Sequence, residues 1–177
     1  VISETDETTD VKIGAGEVWD EVVEKAIGLG LQGVEAMSGI PGTAGAAPVQ
    51  NVGAYGQEIA DTLIGLEAYD SKTDTIVTIS ADECDFSYRN SIFRDKEKGR
   101  YCILNITLRL NKAEPKPPYY ASLQRYIDEN DIREVNSSVI RVAVLNIRSE
   151  KLPDPAELPS AGSFFKNALV EKWKLEE

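Results

Sequence analysis

A chain of 177 residues, 42% hydrophobic and 28% charged, is expected to form one soluble globular domain, or one domain and part of a second, rather than a disordered chain. Its formal net charge of −11 argues against recognition of nucleic acid, which needs a basic face, but leaves room for one small anion in a locally basic pocket. The chain has no histidine, which removes Ser-His-Asp and Cys-His chemistry and most zinc sites, so any chemistry must come from a cofactor or from Asp, Glu, Lys, Arg, Tyr or Ser.

No apolar run reaches the length of a membrane span, and the opening Val-Ile-Ser-Glu-Thr-Asp-Glu has neither the basic nor the apolar region of a signal peptide. Cys84 and Cys102 match no metal or CxxC spacing and read as reduced thiols. A cytoplasmic monomer without membrane or nucleic-acid partners is the expectation.

In chain order, residues 1–10 are acidic and threonine-rich and read as a frayed strand or tail. Val11–Ile13 reads as a short strand, and residues 14–16 as a turn. Residues 17–28 predict a helix that carries Val18, Trp19, Val22, Val23, Ala26 and Ile27 on one face, with Trp19 in the core. Leu63–Tyr69 and Thr75–Ile79 predict a hairpin turning at 70–74. Ser80 is placed to cap a short turn over 81–84. Tyr101–Leu110 is the clearest strand, with Cys102, Leu104, Ile106, Leu108 and Leu110 expected on one face. The proline-rich residues 113–118 interrupt both periods and divide the chain into 1–112 and 113–177. Beyond them, Leu123, Tyr126 and Ile127 mark a short helix. Asn136 or Ser137 opens a longer one to about Ile147, before Leu152-Pro-Asp-Pro155. The class is α+β.

Between the first helix and the hairpin lies Gly39–Glu58, with five glycines and two prolines among small residues. Such a run suits backbone laid closely against a flat, partly apolar ligand. It equally suits an ordinary glycine-rich surface loop. No lysine follows Gly45, so this is not a P-loop, and the glycines at 39, 42 and 45 miss the GxGxxG spacing.

Three polar residues stand out further on. Arg89, in a polar loop between strands, is ordinarily a surface ion pair; functionally it offers a bidentate cation for a carboxylate. Lys151 precedes a proline-stiffened turn that suits a phosphate contact, although an exposed lysine is the commoner case. Ser163 lies between Gly162 and Phe164 and, without histidine, is no conventional nucleophile; it could still give a proton to a strongly basic carbanion or enolate.

Taken together, these segments resemble one family. Gly39-Ile-Pro-Gly42 followed by Gln50-Asn-Val-Gly-Ala-Tyr-Gly56 resembles the flavin-cradling segment of the UDP-N-acetylenolpyruvoylglucosamine reductases. Tyr88-Arg-Asn-Ser-Ile-Phe93, Lys151-Leu-Pro-Asp-Pro155 and Ala161-Gly-Ser-Phe-Phe-Lys-Asn167 resemble three further motifs of that family, in the same order. The resemblance runs from about Val11 to the end.

It implies an FAD- and NADPH-dependent reduction of UDP-N-acetylglucosamine enolpyruvate, a step in bacterial peptidoglycan synthesis. Residues 1–112 would form the second lobe of an FAD-binding domain of the vanillyl-alcohol-oxidase type, and 113–177 the start of a substrate-binding domain. Arg89 and Ser163 would be catalytic, Ser163 as the proton donor. Tyr120, Lys151 and Asn167 would bind substrate, Tyr120 being the tyrosine of a loop found in one form of the enzyme. Ala46, Ala47, Pro48, Val49, Gln50, Asn51, Gly53 and Tyr55 would lie along the flavin, largely through backbone groups.

Nothing in the chain corresponds to the family's N-terminal lobe or to its glutamate near the C-terminus, and Glu176 and Glu177 do not take that role. An internal fragment is therefore expected. Its rivals are a non-catalytic fragment that retains some UDP-sugar or flavin binding, and another flavin oxidoreductase of the same fold.

Overall fold

The computed structural model describes residues 1–152, 157, 158, 166, 167 and 170. A five-stranded antiparallel sheet runs in the order β1-β2-β7-β5-β6, formed by β1 (Ser3–Glu4), β2 (Thr8–Gly14), β5 (Leu63–Asp70), β6 (Thr75–Ser80) and β7 (Tyr101–Asn111). The N-terminal residues expected to fray are thus partly in the sheet, because Thr8–Gly14 pairs along its whole length with Asn105–Asn111. Helix α1 (Trp19–Gly28) buries Trp19, Val23 and Ala26 in the main core, and the Trp19 indole N–H donates to the Met37 carbonyl at 3.2 Å. Val18, which helical spacing assigns to the buried face, instead precedes the helix and stays exposed.

Strand β7 departs from simple alternation. Ile106, Leu108 and Leu110 are buried as expected, but Cys102 and Leu104 are exposed, and Tyr101 and Ile103 turn toward the core instead. The cause is a bulge. Glu67 pairs with Asn105 while Ala68 pairs with Ile103, so Leu104 is an extra residue and the strand changes face there. The bulged Leu104 carbonyl accepts the Ala15 N–H at 2.9 Å.

A smaller correction concerns Ser80. The turn Asp82–Cys84 is not capped by its side chain; instead the Ser80 hydroxyl donates to Glu83 Oε2 at 2.6 Å.

The chain after residue 118 forms α2 (Ala121–Glu129) and α3 (Ser137–Lys151). Asn136 caps α3 by accepting the Val139 N–H at 3.0 Å. The helix continues a full turn past Ile147 to Lys151. Leu152 is extended (φ −123°, ψ 134°), the backbone region favoured for a residue before proline.

Leu123, Ile127, Ile140, Ala143 and Val144 build a second apolar cluster, which also takes Ala36 and half-buried Tyr55 from the earlier part of the chain. Two arginines tie α3 to the first cluster. Arg141 makes a bidentate pair with Asp20 at 2.6 and 2.9 Å, and Arg148 donates to the Gly39 carbonyl at 2.9 Å. No helix among the described residues is long and apolar enough to cross a membrane.

Candidate active site

The glycine-rich stretch leaves α1 through Gly39 and Gly42, both at positive φ. It then runs as 3₁₀ turns over Ala44–Gln50 and ends in a left-handed Asn51 (φ 46°). Gly45 lies directly on Ala15: its N–H donates to the Ala15 carbonyl at 2.9 Å, and a β-carbon at 45 would sit 2.5 Å from that of Ala15. Only glycine permits this approach.

Beyond Asn51 the two short strands β3 (Gly53–Ala54) and β4 (Gln57–Glu58) form a hairpin around Tyr55-Gly56. Of the residues expected along a flavin, Ala47, Pro48 and Asn51 are buried. Val49, Gly53 and Tyr55 are half-buried, and Ala46 and Gln50 are exposed. Asn51 works inside the protein: its amide donates to the Ser87 carbonyl at 3.2 Å and accepts the Ala60 N–H at 3.1 Å.

The segment around Arg89 is bonded directly to this stretch. Tyr88-Arg89 forms a tight turn closed by mutual Ser87 and Asn90 backbone bonds of 3.1 and 3.0 Å, with Arg89 at φ 53°. The Ser91 hydroxyl donates to the Val49 carbonyl at 2.7 Å. Arg89 donates through Nη1 to the Asn51 carbonyl at 3.3 Å and through Nη2 to that of Gly53, with its guanidinium 5.3 Å from the centre of the Tyr88 ring. A side chain at Gly53 would sit 2.8 Å from Arg89 Nη1, so that glycine is the space the arginine occupies.

The wall so built faces a pocket of about 360 Å³, lined by Arg89, Tyr88, Tyr55, Gln57, Tyr120 and Asn167 among others. Tyr120, at the start of α2, meets Tyr55 edge-on with ring centres 5.9 Å apart, and burial pushes the Tyr55 phenol upward. The structure therefore brings together Arg89, Gly53, Tyr55, Tyr120 and Asn167. Lys151 ends α3 exposed and is not part of this lining. Ser163 lies outside the described residues.

Sequence reasoning passed over Tyr88, Gln57, Glu58 and Asp61, which also line the pocket. The three-residue spacing of Glu58 and Asp61 was an available signal, since the Glu58 N–H donates to the Asp61 carboxylate at 2.8 Å around a single turn. A second cleft, about 440 Å³, lies against the start of the glycine stretch and is lined by Ala15, Gly16, Thr43, Gly45, Val49 and the side chains Phe93, Tyr101 and Ile103.

A family profile described as FAD binding domain matches residues 1–80. UDP-N-acetylenolpyruvoylglucosamine reductase of Amoebophilus asiaticus is 43% identical over 162 residues, which is 92% of this chain and 48% of that protein. The enzyme of the same name from Ralstonia nicotianae is 45% identical over 161 residues, 91% of this chain and 47% of its own length. The chain is thus similar, over nearly its whole length, to the UDP-N-acetylenolpyruvoylglucosamine reductases. It spans about half the length of the curated relatives it matches.

The crystal structure of UDP-N-acetylenolpyruvylglucosamine reductase from Thermus caldophilus shares the fold, with a TM-score of 0.51 over 81% of this chain and 69% of that one, at 21% identity. The α+β architecture and the FAD-binding match agree with the fold expected from sequence. The Gln50–Gly56 and Tyr88–Phe93 segments, two of those that carried the resemblance, meet in one pocket wall.

Proposed function

We propose that the protein to which this chain belongs is an FAD-dependent reductase that converts UDP-N-acetylglucosamine enolpyruvate to UDP-N-acetylmuramate with NADPH, in the bacterial cytoplasm, as a step of peptidoglycan synthesis. In this reading residues 1–112 belong to the FAD-binding domain and 113–177 open the substrate domain. The observation that carries it is the joining of Arg89 to the Asn51 and Gly53 carbonyls beside Tyr55 and Tyr120, in one pocket.

The residues present fit a flavin. Ala44–Val49 carries only small side chains, and the cleft beside it offers Val49, Phe93, Tyr101 and Ile103 next to the backbone of Gly16 and Gly45. Apolar side chains beside close glycine backbone suit a flat ring. Bound FAD supplies hydride transfer from NADPH to the enolpyruvyl carbon.

The chain's own residues have separate tasks. Arg89 is held by two carbonyls, so its orientation is set before substrate arrives. Its remaining N–H groups bind the substrate carboxylate and stabilise the negative charge that develops there. Ser163 gives the proton to the adjacent carbon. Tyr120, Lys151 and Asn167 hold the UDP end, and Tyr55 with the Ala46–Gly53 backbone lies along the flavin.

In the full-length protein, Arg89→Lys is expected to lower the rate of flavin reoxidation by the enolpyruvyl sugar by about 10² to 10³, with flavin content retained. A point charge cannot contact both carbonyls and a carboxylate as the planar fork does. Ser163→Ala should leave reduction by NADPH nearly intact and slow reoxidation strongly in stopped-flow traces. Normal reoxidation in either variant removes that residue from the mechanism.

A further inference from the structure

Glu35 and Gln57 form a buried pair to which the mechanism gives no task. Glu35 is 1% exposed, and three N–H groups converge on its carboxyl group. Oε2 accepts from the backbone of Gly33 at 2.6 Å and of Val34 at 3.0 Å, and Oε1 accepts from the Gln57 amide at 2.8 Å. The other end of that amide is fixed as well, since Gln57 Oε1 accepts the Ala36 N–H at 2.8 Å. A flipped amide would set donor against donor at Ala36 and acceptor against acceptor at Glu35, so only one orientation satisfies both ends.

Gln57 directly follows the Tyr55-Gly56 turn of the β3–β4 hairpin. Tyr55 has φ 48° and Gly56 φ 85°, the pattern of a two-residue hairpin turn that ordinarily takes asparagine or glycine first. A tyrosine there opposes the local backbone preference, and its neighbours must hold it. Two contacts do so: the Glu35–Gln57 bonds from behind, and the edge-on Tyr120 ring in front. Tyr55, Gly56, Gln57 and Tyr120 line both the first pocket and an adjoining one of about 200 Å³, which Glu35 also lines. The turn is the partition between the two.

We propose that Glu35 is a positioning residue: acting through Gln57, it fixes the Tyr55-Gly56 turn against Tyr120 and so sets the affinity of the pocket for the nucleoside-diphosphate end of its ligand. The identity of that ligand rests on the function proposed above; the brace does not. Glu35→Gln keeps the shape but not the pattern. If its carbonyl serves Gly33 and Val34, its NH₂ faces the NH₂ of Gln57. The exchange Glu35→Gln with Gln57→Glu restores every partner, because the new carboxylate at 57 accepts from both the new amide at 35 and the Ala36 N–H.

The test uses the full-length protein. UDP is titrated by calorimetry well below the unfolding temperature, and the proximity of the Tyr55 and Tyr120 rings is followed without ligand through their NMR cross-peaks. In Glu35→Gln the UDP Kd is expected to rise about tenfold, with flavin content unchanged and the cross-peaks abolished; the double exchange brings Kd back within about twofold and restores them. An unchanged Kd in Glu35→Gln overturns the proposal. So does a folded double exchange that binds UDP as weakly as the single variant, or a variant in which only the melting temperature moves. If the unaltered protein fails to bind UDP, the proposed function falls, and the ring cross-peaks alone decide the brace. Persisting in Glu35→Gln, they overturn it; abolished there and restored in the exchange, they support it.

Discussion

In the sheet, β2, β7 and β5 are joined by antiparallel backbone pairing, unbroken between β2 and β7 and bulged between β7 and β5, over Leu66, Ile106 and Leu108, none more than 1% exposed. In the pocket wall, Val49–Gly53 and Ser87–Ser91 are joined by side chains of Asn51, Arg89 and Ser91 reaching backbone carbonyls of the opposite segment. The backbones differ in the same sense. Asn51, Tyr55 and Arg89 all have positive φ in or beside the wall, whereas the nearest non-glycine case in the sheet is Asp74, in the turn between β5 and β6. Burial is non-directional and spreads a defect over many neighbours. Hydrogen bonds to named carbonyls are directional and confine it. Damage to the sheet should therefore be read in global stability, and damage to the wall in the shape of the pocket.

Three measurements can break or sharpen that contrast. The largest stability effect is expected from Leu108→Ala, which empties a site of 0% exposure at the centre of the sheet. About 2–5 kcal/mol should be lost from the urea unfolding free energy, with UDP affinity of the folded protein unchanged. A comparable loss of affinity would mean that the wall is not separable from the sheet.

Gly53→Ala should be smaller in stability and larger in binding. Its methyl would sit 2.7 Å from the Gln57 carbonyl and 2.8 Å from Arg89 Nη1. About 1–3 kcal/mol is expected from the unfolding curve, with Arg89 displaced and UDP affinity reduced more than Leu108→Ala reduces it.

The smallest effect concerns the tie between the two clusters. Arg141, then the Gly39 N–H, holds the Asp20 carboxyl below the usual aspartate range. The unfolded chain therefore binds that proton first as pH falls. The stability Asp20 contributes is present above its unfolded value of about 3.9 and is lost as pH drops through the lower folded value. Asp20→Asn should be less stable than the parent near pH 6, and the gap should narrow below about pH 4 in denaturant titrations. A gap that is constant with pH would assign the effect to packing rather than charge.

Much of the fold was legible in the sequence because its signals are local. Trp19, Val23 and Ala26 repeat at helical spacing, Leu66 and Ala68 alternate at the strand period, and Asn136 is a capping residue in front of an apolar helix. The bulge at Leu104 was not legible. Alternation from Cys102 to Leu110 is unbroken in the sequence, and only the pairing with Glu67 and Ala68 shows which residue is surplus. The reach of β2 back to Thr8 was hidden for the same reason, since its partner Asn111 lies more than a hundred positions away.

For the site, the family resemblance named Arg89, Gly53, Tyr55, Tyr120 and Asn167 as residues that matter, and the pocket gathers them. That Arg89 bonds the very backbone it faces, that Asn51 and Pro48 turn inward, and that Glu35 braces Gln57 from 22 positions away had no mark in the chain order. Periodicity, capping and turn chemistry act between residues a few positions apart, so the sequence by itself determined the three helices α1–α3, the main stretches of β5, β6 and β7, and the family likeness. Which carbonyl an arginine meets, which face a bulged strand presents and which buried carboxylate holds a strained turn depend on distances set only when remote segments pack. Those were decided by the tertiary structure.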